Sequence, residues 1–298
     1  MQTADGLVVV DKHAGPTSHD VVNRLRRLFA TRRVGHAGTL DPPATGILLV
    51  GLERATRILQ FLQALPKTYR AVVAFGTTTS TQDATGAVLE ERPCDFTAAD
   101  LRAAAASMVG GISQVPPMVS AVRVGGERLY AAARRGEEVE RPARTVTVYE
   151  LGIRAFDPGS ASGRWEATID VRCSSGTFVR TLAADLGEAL HCGAHVTTLR
   201  RRAIGSLGEA DAVTVAELEA MGEEERATRV LPMSAALADF ETLAVSGGEL
   251  DDVAHGRSLG KPGGEAGAAV AVVDPAGRLI AVYRRYGEGL KPAAVLVP

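Results

Sequence analysis

The segment GHAGTLDPPATG, residues 35 to 46, holds the side chains best suited to chemistry. Three glycines and two prolines in twelve residues exclude regular helix and central strand. In this stiff stretch Asp41 follows His36 by five residues, and Arg32 and Arg33 come just before. Two readings fit. In one, Asp41 closes an ordinary turn, since Asp-Pro is common turn chemistry. In the other, a rigid loop presents a carboxylate and an imidazole beside a basic surface, which suits an anionic polymer.

Other chemistries find few residues to carry them. There is no GxxxxGK[ST], no GxGxxG after a strand and no HExxH. Cys94, Cys173 and Cys192 form no CxxC pair, so neither a disulfide framework nor a zinc ribbon is expected. His191 and His195 share i, i+4 spacing, but no third ligand accompanies them and Gly193 argues against a continuous helix. They read as ordinary histidines, and no metal site is expected.

Regular elements must position Asp41. Leu7 to Val10 reads as a buried strand ending in a Gly15-Pro16 turn. Thr17 or Ser18 then caps a helix, with Val21, Val22, Leu25, Leu28 and Phe29 at helical spacing and arginines on the other face. Residues 47–52 read as a second buried strand and 55–65 as a helix. Tyr69 to Phe75 suits a strand, 77–86 a polar loop, and Thr97 with Asp100 caps a helix to about Met108. Residues 114–130 read as ordered but irregular. Trp165 to Cys173 alternates strictly, the mark of a strand with one buried face in an antiparallel sheet. Leu182, Leu186 and Leu190 mark a helix, and Thr214 with Glu217 caps another.

Past about Leu237 short strand-like runs dominate, Val270 to Val273 and Leu279 to Tyr283, with no strong helix. The expected organisation is a domain over 1–236 and a small β-rich domain over 237–298. Without a regular βαβ rhythm the class is α+β, with a mixed, mainly antiparallel sheet flanked by helices.

A net charge of −2 is unlike a strongly basic nucleic-acid binder. Local charge differs. Arg24, Arg26, Arg27, Arg32 and Arg33 fall in ten residues without an acid, and Arg200, Arg201 and Arg202 are consecutive. Each cluster is either a solvated face or a grip for phosphates. No stretch approaches the roughly 20 apolar residues of a membrane span. The N-terminus lacks a signal-peptide pattern. A cytoplasmic protein is expected.

The motifs carry a resemblance. GHAGTLDPPATGILLVGLERAT resembles the signature of the bacterial tRNA pseudouridine-55 synthases of the TruB type. VVVDKHAGPTSHDVV resembles that family's opening motif, and KTYRAVVAFGTTTSTQDATG its second block. QVPPMVSAVRVGGERLYAAARRGEEVER, CSSGTFVRTLAADLG and GAHVTTLRRRAIG resemble three more, so the likeness covers nearly the whole chain. Ala37, Pro43, His13 and Val119 depart from the residues common in the family, and none removes a catalytic group.

The resemblance implies the pseudouridine synthase fold, a C-terminal PUA-like RNA-binding domain, and roles by position. Asp41 matches the catalytic aspartate, Tyr69 the tyrosine that stacks on the target uracil, and Arg180 the arginine that pairs with the aspartate. Phe178 and Leu199 match apolar pocket residues. His36 matches the histidine that fills the space left by flipped bases of the T loop. Asp83 matches a polar position of the second block, and Arg57 a basic residue near phosphate. The implied substrate is the T stem-loop of tRNA, and the protein is expected to be a monomer.

The implied reaction breaks the uracil–ribose N–C bond, turns the base and rejoins it through carbon. Atoms and electrons are conserved, so no cofactor is expected. The carboxylate either attacks covalently or removes the 2′ proton of ribose, and the sequence leaves both routes open. Two other functions remain: an idle RNA-binding module, against which the Asp41, Tyr69 and Arg180 set speaks, and a relative acting on another RNA.

Overall fold

The apolar run around Leu7 becomes strand β1 (Gly6–Lys12), buried along nearly all its length. Thr17 caps helix α1 (Ser18–Leu28) through a capping box with Asp20. Val21, Val22 and Leu25 are buried on one helix face, as their spacing predicts. Strands β2 (Val34–Ala37) and β3 (Thr45–Leu52) follow. β3 runs antiparallel to β1, from Gly6↔Leu52 to Lys12↔Gly46, and antiparallel to β2, with His36 opposite Val50. The Gly/Pro-rich segment thus starts inside a short strand and becomes irregular at Gly38. The helix expected over 55–65 is split into a 3-10 turn (Glu53–Arg57) and α2 (Leu59–Ala64). Glu53 sits at φ +51°, and the Thr56 hydroxyl donates to its carbonyl at 2.7 Å, competing with the helical ladder.

The computed structural model describes residues 5–120, 123–124, 127–128, 135, 137, 139–159, 163–260 and 264–297. The chain divides into two units. One is Met1–Pro42, Gly46–Leu65 and Ile204–Pro298; the other is Pro43–Thr45 and Pro66–Ala203.

The second unit contains β4 (Lys67–Phe75), β5 (Thr77–Thr79), β6 (Val88–Glu91), α3 (Ala98–Ser107), β7 (Gly110–Gln114) and the small pair β8 (Arg123–Val124) and β9 (Glu127–Arg128). It continues with β10 (Arg144–Pro158), β11 (Trp165–Cys173), α4 (Val179–Ala189) and β12 (Ala194–Ile204), whose last residue belongs to the first unit. Its strand order is β12-β4-β11-β10-β7, and the β4–β11, β11–β10 and β10–β7 pairs are antiparallel.

One face of this sheet carries Ala71, Val73, Ala167, Ile169, Val171 and Cys173 into a core shared with Leu101 of α3 and Leu182 and Leu186 of α4. Phe96 packs against Trp165 and Phe75 at ring distances of 4.8 and 5.1 Å. Gly187 lets α4 approach β12, since a Cβ there would lie 2.3 Å from the Ala194 nitrogen. On the other face Asp170 accepts from Arg70 at 2.7 and 3.0 Å and from Arg154 at 2.5 Å, tying three strands together. Those guanidiniums, Arg70 foremost, hold its pKa at about 2 against the opposing effect of burial.

Two expectations change here. The loop over 77–86 begins with β5, which pairs with β6 from Thr77↔Glu91. In the irregular segment 114–130, β8 and β9 form a minimal hairpin; residues 121, 122, 125, 126, 129 and 130 lie outside the described residues.

The chain returns to the first unit with β13 (Leu207–Gly208), β14 (Val213–Thr214) and α5 (Val215–Ala220), capped by Thr214 and Glu217. β14 runs parallel to β1, with Val10 opposite Val213. Next come β15 (Glu241–Ala244), α6 (Gly248–Ala254), β16 (Ala269–Val273), β17 (Leu279–Tyr286) and β18 (Gly289–Val295). β15 is parallel to β16, and β16, β17 and β18 are antiparallel in sequence.

Past Leu237 the chain forms the short helix α6, in keeping with the expectation of no strong helix there. Its seven residues begin after Gly247 without a side-chain cap and bury one residue, Val253, so it leaves little pattern. One sheet face places Ala271, Val273, Leu279, Val282 and Leu296 in the same core as Leu7, Val9, Ile47, Ile58, Phe61 and Leu62.

The architecture is the expected α+β class: a mixed, mostly antiparallel sheet with helices, and a C-terminal β-rich region. Among the described residues no helix is long and apolar enough to cross a membrane.

Candidate active site

Asp41 is partly buried, and the backbone on both sides of it is pinned by the β1–α1 segment. The Ser18 hydroxyl accepts from the Leu40 N–H at 2.9 Å and donates to the Leu40 carbonyl at 3.2 Å. On the other side, the Pro42 carbonyl accepts from the Lys12 ammonium at 3.1 Å and from the Gly15 N–H at 2.8 Å. Gly15 stands at φ +110°, a conformation that favours glycine. Lys12 is fully buried, and its ammonium also donates to the His13 and Pro16 carbonyls, both at 3.0 Å. A buried cation is tolerable only with such partners. The loop therefore presents Asp41 from fixed neighbours.

His36, in β2, is partly buried in the same unit. The nearby arginines divide into two groups. Arg26 donates to the Asn23 side chain at 2.9 Å and to the Val34 carbonyl at 3.2 Å, fastening α1 to the start of β2, and Arg24 pairs with Glu219 at 3.0 Å. Arg27, Arg32 and Arg33 are exposed. Arg57, also exposed, donates to the Val295 carbonyl at 2.5 Å in a surface hollow of about 420 Å³ lined by Gln60 and Pro292 to Val295.

The second unit collects the remaining candidates. Arg180 lies in the first turn of α4, buried, with Nη1 3.2 Å from Asp83 Oδ2 and 2.8 Å from the Thr81 carbonyl. Its Nη2 donates to the Val119 carbonyl at 2.8 Å. The other Asp83 oxygen accepts from the Thr81 hydroxyl at 2.7 Å and from Thr85 through hydroxyl and N–H at 2.5 and 3.0 Å. Burial opposes ionisation of Asp83, but the Thr85 and Thr81 donors and the Arg180 charge outweigh it, and its pKa lies below the usual value. Phe178 is the N-cap residue of α4 and is partly exposed. Tyr69 on β4 and Leu199 on β12 pack partly buried against the same core.

The structure thus joins Arg180 to Asp83 and sets Tyr69 and Leu199 against one cluster. Asp41, His36 and Arg57 belong to the first unit. Sequence reasoning missed the loop-holding roles of Lys12 and Ser18, and the contacts of Thr81, Thr85 and Gln114. A lysine at the end of an otherwise apolar buried strand, just before the Gly15-Pro16 turn, with only Asp11 as another polar residue, was the available signal for Lys12. His195 Nδ1 lies 2.9 Å from the Thr77 carbonyl.

Residues 26–179 match the N-terminal domain of the TruB family pseudouridylate synthases. Residues 180–238 match the tRNA pseudouridylate synthase B C-terminal domain, and 240–297 the C-terminal domain of tRNA pseudouridine synthase II. The tRNA pseudouridine synthase B of Thermobifida fusca is 45% identical over 296 residues, covering 98% of each chain. That of Mycolicibacterium paratuberculosis is 45% identical over 294 residues, again with 98% of each chain covered. Among solved structures, a chain of a Cbf5-Nop10-Gar1 complex shares the fold at a TM-score of 0.77 and 24% identity, covering 100% of this chain and 86% of that one. The chain belongs to the TruB family of pseudouridylate synthases, as its motifs implied, and is an isomerase of that class.

Proposed function

We propose that this protein isomerises uridine 55 in the T loop of tRNA to pseudouridine, with Asp41 as the reacting carboxylate. The observation that carries this reading is the pinned loop: hydrogen bonds to Leu40 and Pro42 hold the peptide on either side of Asp41. Fixing a reacting group in advance lowers the entropic part of the barrier. The end-to-end similarity to tRNA pseudouridine synthases B supports the substrate class.

The target lies inside a folded loop and must be extruded, at a cost of a few kcal/mol. Stacking on an aromatic ring returns about 1–3 kcal/mol per base. Tyr69 is proposed to provide that ring, with Phe178 and Leu199 keeping water from the detached base. His36 is proposed to fill the space the flipped bases leave. Arg180 is proposed to keep Asp41 ionised, with Asp83 orienting Arg180. Exposed Arg27, Arg32, Arg33 and Arg57 suit phosphates, which position RNA without reading its sequence. Residues 1–236 are the proposed catalytic domain and 237–298 the proposed PUA-like RNA-binding domain of a cytoplasmic monomer.

Tritium release from tRNA carrying 5-[³H]uridine tests the reading. The native protein releases tritium and installs pseudouridine at position 55, while Asp41→Asn binds the tRNA and releases none. Equal release by both proteins refutes the assignment of Asp41. Modification at another position refutes the proposed target.

A further inference from the structure

Gln114 is a buried amide to which no catalytic or binding role has been given so far. It ends β7, pairs through its backbone with Arg144 of β10, and has 2% of its surface exposed. Its side chain crosses to the start of α4. There its Oε1 accepts from the Phe178 N–H at 3.0 Å and its Nε2 donates to the Phe178 carbonyl at 3.3 Å. A carboxamide has the donor and acceptor of a peptide unit, so Gln114 serves Phe178 as a neighbouring strand would.

The position explains why a side chain is needed. Phe178 is extended, at φ −99° and ψ 106°, and no side chain caps α4. Its carbonyl already accepts the first helical bond, from the Leu182 N–H at 3.0 Å, whereas Gln114 is the partner found for its N–H. The preceding turn is anchored to β10, where the Ser174 hydroxyl accepts from the Thr147 N–H at 2.9 Å. Gln114 is thus the next fixed point along the chain, at the residue where turn becomes helix. Arg180 follows two residues later, already held by Asp83, Thr81 and Val119.

We propose that Gln114 is a positioning residue for the reaction: its amide sets the height and direction at which Phe178 and Arg180 leave the turn. This rests on the function proposed above. A site that must hold a detached base tolerates little misplacement, because rates fall steeply with small errors in geometry.

The test uses the full chain with Gln114→Met, of similar length and without hydrogen bonds, and Gln114→Glu, of equal shape. The native protein assayed on the tRNA T arm checks the function itself, so its failure is seen separately. Under single-turnover conditions Gln114→Met is expected to react about tenfold or more slowly, in line with the loss of an orienting group. Its affinity for the RNA stays within about twofold, since no phosphate contact is lost.

Gln114→Glu adds a signature that simple destabilisation lacks. Its carboxylate accepts from Phe178 but cannot donate, whereas its protonated form does both. Its rate relative to the native protein should therefore rise as pH falls from 8.5 to 6, with the variant folded throughout. Hydrogen exchange at the Phe178 amide should accelerate in Gln114→Met whatever RNA is used. A folded Gln114→Met with native rate, or a Gln114→Glu rate ratio independent of pH, overturns the proposal. So does a Phe178 amide as protected in Gln114→Met as in the native chain.

Discussion

Arg180 and Asp83 form an ion pair at 3.2 Å in which the side chains keep 5% and 11% of their surface. Burying two charges is costly, and what makes this pair tolerable is the set of bonds around it. Arg180 also meets the Thr81 and Val119 carbonyls, and Asp83 the donors of Thr81 and Thr85. A guanidinium suits such a site because its donors form a rigid planar fork.

Replacing that fork by a point charge should therefore stop turnover before it stops folding. Arg180→Lys keeps the charge but cannot reach the three acceptors together. Tritium release is expected to fall about 100-fold or more, the scale seen when one oriented electrostatic group is lost. Binding of tRNA should change by no more than about threefold, because buried Arg180 is not proposed to grip phosphate. A large loss of affinity with normal turnover would contradict its role.

Asp83 should also shape the response to acid. Its folded pKa lies below the ordinary aspartate value of about 3.9, so above that range it is ionised in both states and its contribution is complete. As pH falls, the unfolded chain takes up its proton first, and the contribution is lost as pH drops toward the folded value. Asp83→Asn should accordingly be less stable than the native protein at pH 6, and the gap should narrow between pH 4 and 3. Urea unfolding across that range measures it; a gap that widens in acid would show that the carboxylate is not stabilised as described.

Much of the fold was legible where one physical signal dominated. Strict alternation identified β11, the capping patterns at Thr97 and Thr214 located two helices, and the apolar spacing from Val21 to Phe29 behind a Thr17 or Ser18 cap located a third. The fifteen-residue β10 was not legible, because irregularities between Val148 and Glu150 and between Ile153 and Ala155 break its alternation. At the site, Asp41 stood out through its glycines and prolines, and the family motifs supplied the other positions. The contacts of Gln114 and Lys12 were hidden for a different reason. Each side chain bonds to backbone groups of distant residues, and no local pattern encodes a carbonyl 30 residues away.

Lys12 gives the Asp41 loop a measurable stability. Lys12→Met removes the ammonium shared by the His13, Pro16 and Pro42 carbonyls, though Gly15 still serves Pro42. Losing a buried partner costs about 1–3 kcal/mol. For a chain of this size that lowers the melting temperature by about 2–5 °C. Calorimetry reads the shift, and an unchanged transition would mean that the carbonyls find other donors.

The C-terminal sheet should unfold together with β1 and β3, although it follows them by some 200 residues. Leu296 and Val282 share one core with Leu7, Ile47 and Phe61. Arg54 reinforces the link, donating to the Leu296 carbonyl at 2.7 Å while pairing with Asp5 at 2.6 Å. Arg284 lies over the Phe61 ring at 5.2 Å. Leu296→Ala should cost about 2–5 kcal/mol, as for other buried leucines. Because the core is continuous, that cost should lower the hydrogen-exchange protection of β3 as well as β17, the behaviour of one cooperative unit. If β16, β17 and β18 opened in the variant while β1 and β3 kept native protection, the shared core would not couple them, and the sheet would stand as a separate folding unit.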